Sequence, residues 1–324
     1  MDRDNARVFL VGPRGGTVAA AKRLKHDHVE SRCLRPDDII ALLRKLSAQG
    51  SVRMAASGHY VLGHTEAELK RLTTQARLID PITRRFLVSA GIVPGMKVLD
   101  VGSGAGDVAI LLASVVGPKG EVIGSDSARA AVEMAEHWIR AEGIPNVSFL
   151  HGDPVEMTFE KPFDAVVGRY VLQFMPNPSD ALSRLARHVR PGGIIMFHEL
   201  DWDGARSSPR VPTYDRICGW ISRTIESSLA QSRLGPQLAL LYEKAGLPPA
   251  TMRLEAVIAS GRAAIDIVHL VTDLVETLLP AMAKAGVATA SEADLPTLAS
   301  RILAEVGTNA ALIGRSEVAA WSKV

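Results

Sequence analysis

Between residues 97 and 199, short apolar runs of β-favouring residues alternate with longer amphipathic segments. The predicted strands are Lys97–Val101, Glu121–Ser125, Val147–His151, Phe163–Gly168 and Ile194–Glu199, and the predicted helices are Asp107–Val116, Ser127–Glu142 and Ser179–Val189. Strands that are apolar almost throughout belong to a sheet with both faces covered. The alternation therefore predicts a doubly wound α/β fold with a mostly parallel sheet.

The flanking regions extend this unit with helices on either side. A capping-box pattern at Thr65–Glu68 begins a helix, and Asp80-Pro81 is predicted to end it and to start a second helix that closes at Gly91. Further along, the predicted helices are Tyr214–Leu229, Pro236–Ala245, Ala263–Ala285 and Leu295–Glu305, and the predicted strands are Thr251–Ser260 and Val318–Trp321. The sheet then has seven strands, with a helical cap at 58–90 and helical insertions at 204–250 and 262–308.

The first 57 residues differ in charge from the remainder of the chain. They carry eleven Lys and Arg against six Asp and Glu, whereas the whole chain of 324 residues has a net charge of only +2. Asp37–Ala48 is the one helix this region predicts. We interpret residues 1–57 as a basic, loosely held N-terminal extension, with Met54 as an alternative start, and residues 58–324 as the main domain.

Composition narrows the class of protein. Cys33 and Cys218 are the only cysteines, which excludes a disulfide scaffold and a cysteine-based zinc site and fits a reducing compartment. No apolar run is long enough to span a membrane, and Val8–Val11 is too short for a signal-peptide core. The sequence therefore predicts a soluble, cytoplasmic protein.

A glycine-rich turn follows the first strand of the alternating region. In Val98–Asp107, three glycines at alternate positions (102, 104 and 106) separate a hydrophobic strand from a helix. Glycine lets such a turn bend tightly and approach a ligand, and the helix that follows presents free N–H groups. Nicotinamide, flavin and adenosyl cofactors all use a turn of this kind.

Three acidic residues favour an adenosine without a pyrophosphate. Asp107 occupies the place of the third glycine in the dinucleotide fingerprint, where it would face the pyrophosphate. Asp126 closes the second strand, where a carboxylate can accept both ribose hydroxyls. Asp153 follows the third strand, where a carboxylate could accept the adenine amine.

The sequence at this point resembles the class I S-adenosylmethionine-dependent methyltransferases, in particular the bacterial small-molecule branch of the methyltransferase-11/UbiE-like type. The resemblance lies in five blocks in the usual order: Val98–Gly106, Ile123–Asp126, His151–Asp153, Phe163–Arg169 and Leu185–Phe197. It covers residues 58–203 and, less strongly, the last strand. It implies a Rossmann-like seven-stranded sheet whose last strand is antiparallel, and S-adenosyl-L-methionine as cofactor with S-adenosyl-L-homocysteine as product.

The resemblance also implies cofactor-binding roles for individual residues. Gly102 and Gly104, with Ser103 between them, would contact the methionyl part, and Asp100 would order the turn and the methionyl ammonium. Asp126 would hold the ribose, with Ser127 beside it, whereas Asp153 and the backbone near Pro154 would recognise adenine. Arg169 would lie beside the methionyl end or the target. From the helical cap, Tyr60, Arg71 and Gln75 are candidates to close over the cofactor.

The end of the fifth strand supplies candidate catalytic residues. A hydroxyl acceptor needs a base, and His198 and Glu199 stand near the expected mouth of the site. Because neighbouring strand residues point to opposite faces, at most one of the two faces the pocket. No metal site is predicted.

The sequence leaves the acceptor open. The apolar face of the 263–285 segment indicates either the wall of a pocket for a small hydrophobic acceptor or a homodimer interface. Few aromatics and a basic excess confined to the first 57 residues disfavour nucleic acid as a partner. A non-catalytic protein that binds the same cofactor, a protein or RNA methyltransferase, and a nicotinamide oxidoreductase are the alternatives.

The interpretation of the basic extension is tested by deleting it. A chain that begins at Met54 should bind S-adenosylhomocysteine with the affinity of the full chain, because none of the five blocks lies before residue 98. Isothermal titration of both proteins measures this. A large loss of affinity in the shorter chain would place the extension in the site.

Overall fold

The computed structural model describes residues 9–11, 17–19, 66–228 and 233–324. The chain divides into two units, Met1–Gly63 and His64–Val324. In the first unit, β1 (Phe9–Val11) pairs with β2 (Thr17–Ala19) in an antiparallel hairpin. The helix predicted at Asp37–Ala48 lies outside the described residues.

The second unit is built on one mixed sheet. Its strands are β3 (Lys97–Val101), β4 (Glu121–Asp126), β5 (Val147–His151), β6 (Phe163–Arg169), β7 (Val189–Asp201), β8 (Arg206–Ser208), β9 (Thr251–Ser260) and β10 (Ala311–Lys323). The order is β5-β4-β3-β6-β7-β10, with β5, β4, β3, β6 and β7 parallel and β10 antiparallel to β7. This confirms the doubly wound, mostly parallel fold with an antiparallel last strand.

The predicted count of seven strands is wrong by one, because the strand after β6 is interrupted. Residues 194–201 of β7 pair with 316–323 of β10, and β8 then pairs with 311–313 of the same strand. A short 3-10 turn at Trp202–Gly204 separates β7 from β8. Since β9 also pairs with β10, the eight described strands of the sheet occupy seven positions across it.

Helices cover both faces of the sheet. They are α1 (Glu66–Ala90), α2 (Asp107–Val116), α3 (Arg129–Glu142), α4 (Pro178–Ala186), α5 (Pro212–Ser228), α6 (Leu238–Lys244), α7 (Ile265–Lys284), α8 (Ala290–Ala293) and α9 (Leu295–Val306). Alternate strand residues divide between two buried clusters, so that Val98 and Met196 pack under α1 and α2, whereas Leu99 and Ile195 pack under α4 and α6. In the described part of the chain, no helix is both long and apolar enough to span a membrane.

The two helices predicted on either side of Asp80-Pro81 are a single helix, which corrects the sequence interpretation. Pro81 lies inside α1, where it removes one backbone donor from the helix. Tertiary packing keeps the helix continuous, because Ile79 and Phe86 are buried on either side of the proline. Asp80 is fixed as well, by an ion pair with Arg169 at 2.9 Å.

The elements on the carboxyl side of β6 also begin and end differently from the prediction. The helix predicted at Ser179–Val189 is α4, which begins at Pro178 behind an Asn177 cap and ends at Ala186. Val189 already belongs to β7, and the predicted turn at residues 190–193 is a bulge in that strand. The last strand extends well beyond the predicted Val318–Trp321, from Ala311 to Lys323.

The close packing of β4 against β5 can be tested with a matched pair of glycines. A Cβ at Gly124 would lie 2.5 Å from the ring of Phe149 and 2.9 Å from Ser103 Cβ, whereas a Cβ at Gly219 in α5 would meet only the end of Arg223 at 3.4 Å. We expect Gly124→Ala to lower the free energy of unfolding by about 1–3 kcal/mol. Gly219→Ala should raise it by about 0.5–1 kcal/mol, because alanine favours a helix interior. Urea unfolding measures both, and equal effects would contradict the packing described.

Candidate functional site

The glycine turn lies at the carboxyl end of β3 and leads into α2. Gly102, Gly104 and Gly106 all have positive φ (65°, 51° and 89°), a conformation that favours glycine. A Cβ at Gly102 would meet Val171 Cγ2 at 2.5 Å, so this glycine is required by the adjoining loop after β6. At Gly104 no atom would lie within 4 Å of a Cβ. The turn is therefore packed at its base and open at Gly104.

Asp126, at the end of β4, is bound to this turn. Its Oδ2 accepts the N–H of Gly104 at 2.8 Å, and its Oδ1 accepts the N–H of Ala128 at 2.8 Å. The carboxylate thus stabilises both the glycine turn and the start of α3. A carboxylate has about four acceptor sites, so two bonds leave capacity for ligand hydroxyls.

Two polar groups behind the turn are buried without a hydrogen-bond partner. They are Asp100 Oδ2 and Ser103 Oγ, on side chains that are almost fully shielded from solvent. Burial raises the pKa of Asp100 from 3.8 to about 8, against the opposing effect of the Arg169 charge. Buried polar atoms usually have hydrogen-bond partners, so these two atoms mark a position at this edge of the sheet that fits the polar groups of a ligand.

The loop after β5 borders the same edge. Gly152 donates its N–H to the carbonyl of Asp126 at 2.9 Å, which joins the ends of β4 and β5. The exposed Asp153 accepts the N–H of Val155 at 2.9 Å, and the carbonyl of the buried Pro154 lies 2.9 Å from His188 Nε2. Ser127 is exposed at the start of the loop after β4.

Arg169 lies at the end of β6 and connects the sheet to α1. Its Nη1 donates to Asp80 Oδ1 at 2.9 Å and to Thr83 Oγ1 at 3.1 Å, and its side chain is only 6% exposed. Burial disfavours the charged guanidinium, but Asp80 outweighs this and raises the pKa of Arg169. The residue predicted to lie beside the methionyl end therefore also anchors the cap helix.

His198 and Glu199 point to opposite faces of β7, as their alternation requires. His198 faces α1, where its ring contacts Phe86 edge-on, and burial lowers its pKa. Glu199 faces the other side, where its Oε1 accepts the N–H groups of Val171 and Leu172 at 3.0 and 2.8 Å. Burial raises the pKa of Glu199 to about 8 despite those two bonds. Glu199 thus holds the loop after β6, and the catalytic role of either residue stays a prediction.

A buried ionic cluster that the sequence analysis missed surrounds His198. Glu317, on β10, accepts from His198 Nε2 at 2.8 Å, from Arg315 Nε at 2.9 Å and from the hydroxyl of Tyr170. Burial opposes ionisation of Glu317, but the Arg315 charge and the bonds from His198 and Tyr170 outweigh it and lower its pKa to about 2. We call these four side chains the Glu317 cluster.

The sequence contained part of the pattern from which the Glu317 cluster could have been predicted. Arg315 and Glu317 alternate along β10, so they face the same side of the sheet as His198. The predicted last strand began only at Val318, which left both residues outside it. Gln75, predicted to bind cofactor, lies at this cluster, with its Oε1 3.4 Å from Arg315 Nη2.

The predicted residues therefore form two neighbouring groups. The glycine turn, Asp100, Asp126 and the loop after β5 lie at the ends of β3 to β5, whereas Arg169, His198 and Gln75 lie along the middle of α1 and at the Glu317 cluster. Tyr60 and the side chain of Arg71 are outside the described residues. Within the described ranges, no group of three or more His, Cys, Asp or Glu side chains could hold a metal ion.

The chain is similar to known methyltransferases over the region that contains the glycine turn. Residues 92–228 match a family model described as a methyltransferase domain. Demethylmenaquinone methyltransferase from Staphylococcus aureus is 33% identical over 135 residues, which are 41% of this chain and 53% of the relative. The chain thus spans about half the length of the curated relatives it matches. These matches confirm the family resemblance for the core of the sheet.

Solved structures align with more of the chain, at lower sequence identity. A putative methyltransferase from Bacillus halodurans is 19% identical with a TM-score of 0.46, over 74% of this chain and 96% of that one. A putative sarcosine dimethylglycine methyltransferase from Galdieria sulphuraria is 13% identical with a TM-score of 0.47, over 81% of this chain and 92% of that one.

The raised pKa of Asp100 predicts how stability depends on pH in the absence of ligand. The unfolded chain releases this proton near pH 3.8, whereas the folded chain holds it up to about pH 8. The contribution of Asp100 to the free energy of unfolding is therefore fully present below pH 3.8 and is lost as pH rises through about 8. Between these two pH values the free energy of unfolding falls by about 1.4 kcal/mol per pH unit. Asp100→Asn should remove this loss.

Urea unfolding at pH 6.5, 7.0 and 7.5 provides the measurement. Between these values we expect the free energy of unfolding of Asp100→Asn to fall by about 1 kcal/mol less per pH unit than that of the unmodified protein. The titration of Glu199 contributes equally to the pH dependence of both proteins, so it cancels when the two slopes are compared. Asp180→Asn, at an exposed carboxylate in α4, should keep the original slope. Parallel curves for Asp100→Asn and the unmodified protein would contradict the assigned burial.

Proposed function

We propose that this chain, whose residues 92–228 form a methyltransferase domain, transfers a methyl group from S-adenosylmethionine to an O, N or C nucleophile of a small apolar molecule. The observation that carries the proposal is the pair of buried atoms without partners, Asp100 Oδ2 and Ser103 Oγ, directly behind the glycine turn. A ligand with donor groups at this position would satisfy both.

The residues at this edge fit S-adenosylmethionine. The open space at Gly104 would admit the methionyl part of the cofactor, and Asp100 would accept a hydrogen bond from the methionyl ammonium. Asp126 retains acceptor capacity for two ribose hydroxyls, and Asp153 with Pro154 would border the adenine. None of these contacts requires a pyrophosphate site. When bound, the cofactor supplies an activated methyl group on a sulfonium.

The side chains of the protein then have to position the acceptor and to exclude water. Arg169 contributes by holding α1 over the edge of the sheet through Asp80 and Thr83. His198 is the better placed of the two candidate bases, because it faces α1 and has its Nε2 fixed by Glu317. Its Nδ1 lies 3.4 Å from Thr83 Oγ1, and the lowered pKa keeps the ring neutral and able to accept a proton.

Our proposal also includes the class of acceptor, the cellular compartment and the oligomeric state. A small-molecule acceptor is favoured over a nucleic acid by the near-neutral net charge of +2. The buried free thiol of Cys218 is consistent with the cytoplasm. A homodimer is supported by exposed apolar side chains on β9, where Leu254 and Ile258 are 61% and 65% exposed.

The ribose assignment is tested at Asp126. Asp126→Asn should weaken binding of S-adenosylhomocysteine by about 10- to 100-fold, because an amide replaces one of the charged acceptor oxygens. Isothermal titration measures the dissociation constant. Asp180→Asn, the same substitution at an exposed position, should bind like the unmodified protein.

An unchanged affinity in Asp126→Asn would remove the ribose assignment.

Catalysis is tested separately, by supplying methyl-labelled S-adenosylmethionine and a metabolite extract and following the label with mass spectrometry. A labelled product that forms with the unmodified protein and not with Asp126→Asn supports a methyltransferase. Tight cofactor binding without any labelled product would indicate a binding protein instead.

A further inference from the structure

The strand β9 lies at one margin of the sheet. Of the strands that the structure describes, only β10 pairs with it, over residues 251–260. In an antiparallel pair, half of the backbone N–H and C=O groups of each strand point away from the partner strand. The outer side of β9 therefore presents a row of backbone groups along ten residues that can pair with another strand.

One face of β9 is covered by α1. Val257 packs against the buried cluster beneath this helix. Arg253 Nη1 donates to Ser89 Oγ at 2.8 Å, and Arg85 Nε donates to Glu255 Oε2 at 2.8 Å. The odd-numbered residues of β9 thus face α1, and the charged pair of this strand lies on that side.

The opposite face of β9 is apolar and open to solvent. Its side chains belong to Met252, Leu254, Ala256 and Ile258, because alternate residues share a face. Leu254 and Ile258 are both more than half exposed. By contrast, Val318 of β10, which pairs with Leu254, is buried in the cluster that includes α6. The cover that α6 gives to β10 therefore does not extend over β9.

This margin carries none of the usual protection on its open face. Edge strands of monomeric proteins are commonly shielded by a charge on the exposed face, by a proline or by a bulge within the strand. The open face of β9 has no charged residue, and Pro248 and Pro249 precede the strand instead of interrupting it. The irregularity in this pair lies between Ile313 and Ser316 of β10. An exposed edge of this kind is typical of an interface.

The charges of β9 make the strand complementary to itself. In antiparallel pairing about a two-fold axis at Leu254, Arg253 lies opposite Glu255 of the second copy, and this contact occurs twice. An axis at Arg253 or at Glu255 would place like charges opposite each other, which is unfavourable. An axis at Ala256 would lose the charge pairs and would extend the pairing across the irregularity at Val257.

We propose that β9 pairs with β9 of a second copy of this chain, antiparallel and with Leu254 on the two-fold axis. The inference rests on the homodimer of the proposed function and specifies its interface. The sheets of the two copies then form one continuous sheet, and the apolar faces of both strands adjoin. Arg253 is 43% exposed on its side chain, so its guanidinium is free to turn toward the second copy.

Cross-linking through introduced cysteines tests the position of the axis. Leu254→Cys should give a covalent dimer under mild oxidation or with a short bifunctional thiol reagent, because opposed residues have Cα atoms about 4.5–5.5 Å apart. Ile258→Cys, at a position equally open on the same face, should not, because its counterpart would lie eight residues along the pair, about 26 Å away. Both variants are made with Cys33→Ser, so that the buried Cys218 is the remaining native thiol.

Non-reducing electrophoresis measures the cross-linked fraction. A covalent dimer with Leu254→Cys alone supports the proposed axis. Equal cross-linking of the two variants, or of neither, would overturn it.

A charge on the open face tests the interface without any cross-link. Leu254→Lys should raise the dissociation constant of the dimer about 100-fold or more, because two buried leucines are lost and two like charges meet at the axis. Val93→Lys is the matched control. Val93 is also exposed, but it precedes β3, with β6, β7 and β10 between that strand and β9. Sedimentation equilibrium measures both constants, and binding of S-adenosylhomocysteine reports whether each variant is folded.

The unmodified protein separates this inference from the proposals on which it rests. A dimer whose dissociation constant is unchanged by Leu254→Lys would overturn the β9 interface and leave the homodimer standing. A monomeric unmodified protein would overturn both, and would leave β9 as an edge for a strand of another protein. Binding of S-adenosylhomocysteine to the unmodified protein tests the cofactor assignment independently of either result.

Discussion

The pairing of buried charges at the carboxyl edge of the sheet is the constraint on which this site depends. Arg315, Glu317 and Arg169 are all withdrawn from water, and an unpaired charge in such a place would be costly. Each is therefore held by a partner on another element, so that β6, β7, β10 and α1 meet in one fixed arrangement. The ionic contacts thereby fix the position of His198.

Local patterns were sufficient to predict the sheet and the edge of it at which the candidate cofactor residues lie. The glycine turn, Asp126 and Asp153 lie at the carboxyl ends of successive strands, and the rules for parallel sheets bring such ends together without further information. The structure adds how they are connected, since Asp126 binds the backbone of Gly104 directly. The positions of these residues could be predicted because each is placed by its own strand.

The second half of the site depends on contacts between residues that are far apart in sequence. His198 and Glu317 are 119 residues apart, and no short-range spacing connects them. The break between β7 and β8 and the bulge in β10 near Gly314 also depend on the neighbouring strand. The continuity of α1 through Pro81 has the same origin, because buried neighbours outweigh the local effect of proline.

Because α1 is continuous, it makes two separate contacts with the ends of the sheet strands. Its middle is joined to Arg169 at the end of β6, and Phe86, further along the helix, packs against the ring of His198. A tilt of the helix would stretch the ion pair with Arg169 and disturb the ring contact with His198 at the same time. A substitution that shifts α1 is therefore expected to change the surroundings of Arg169 and of His198 together.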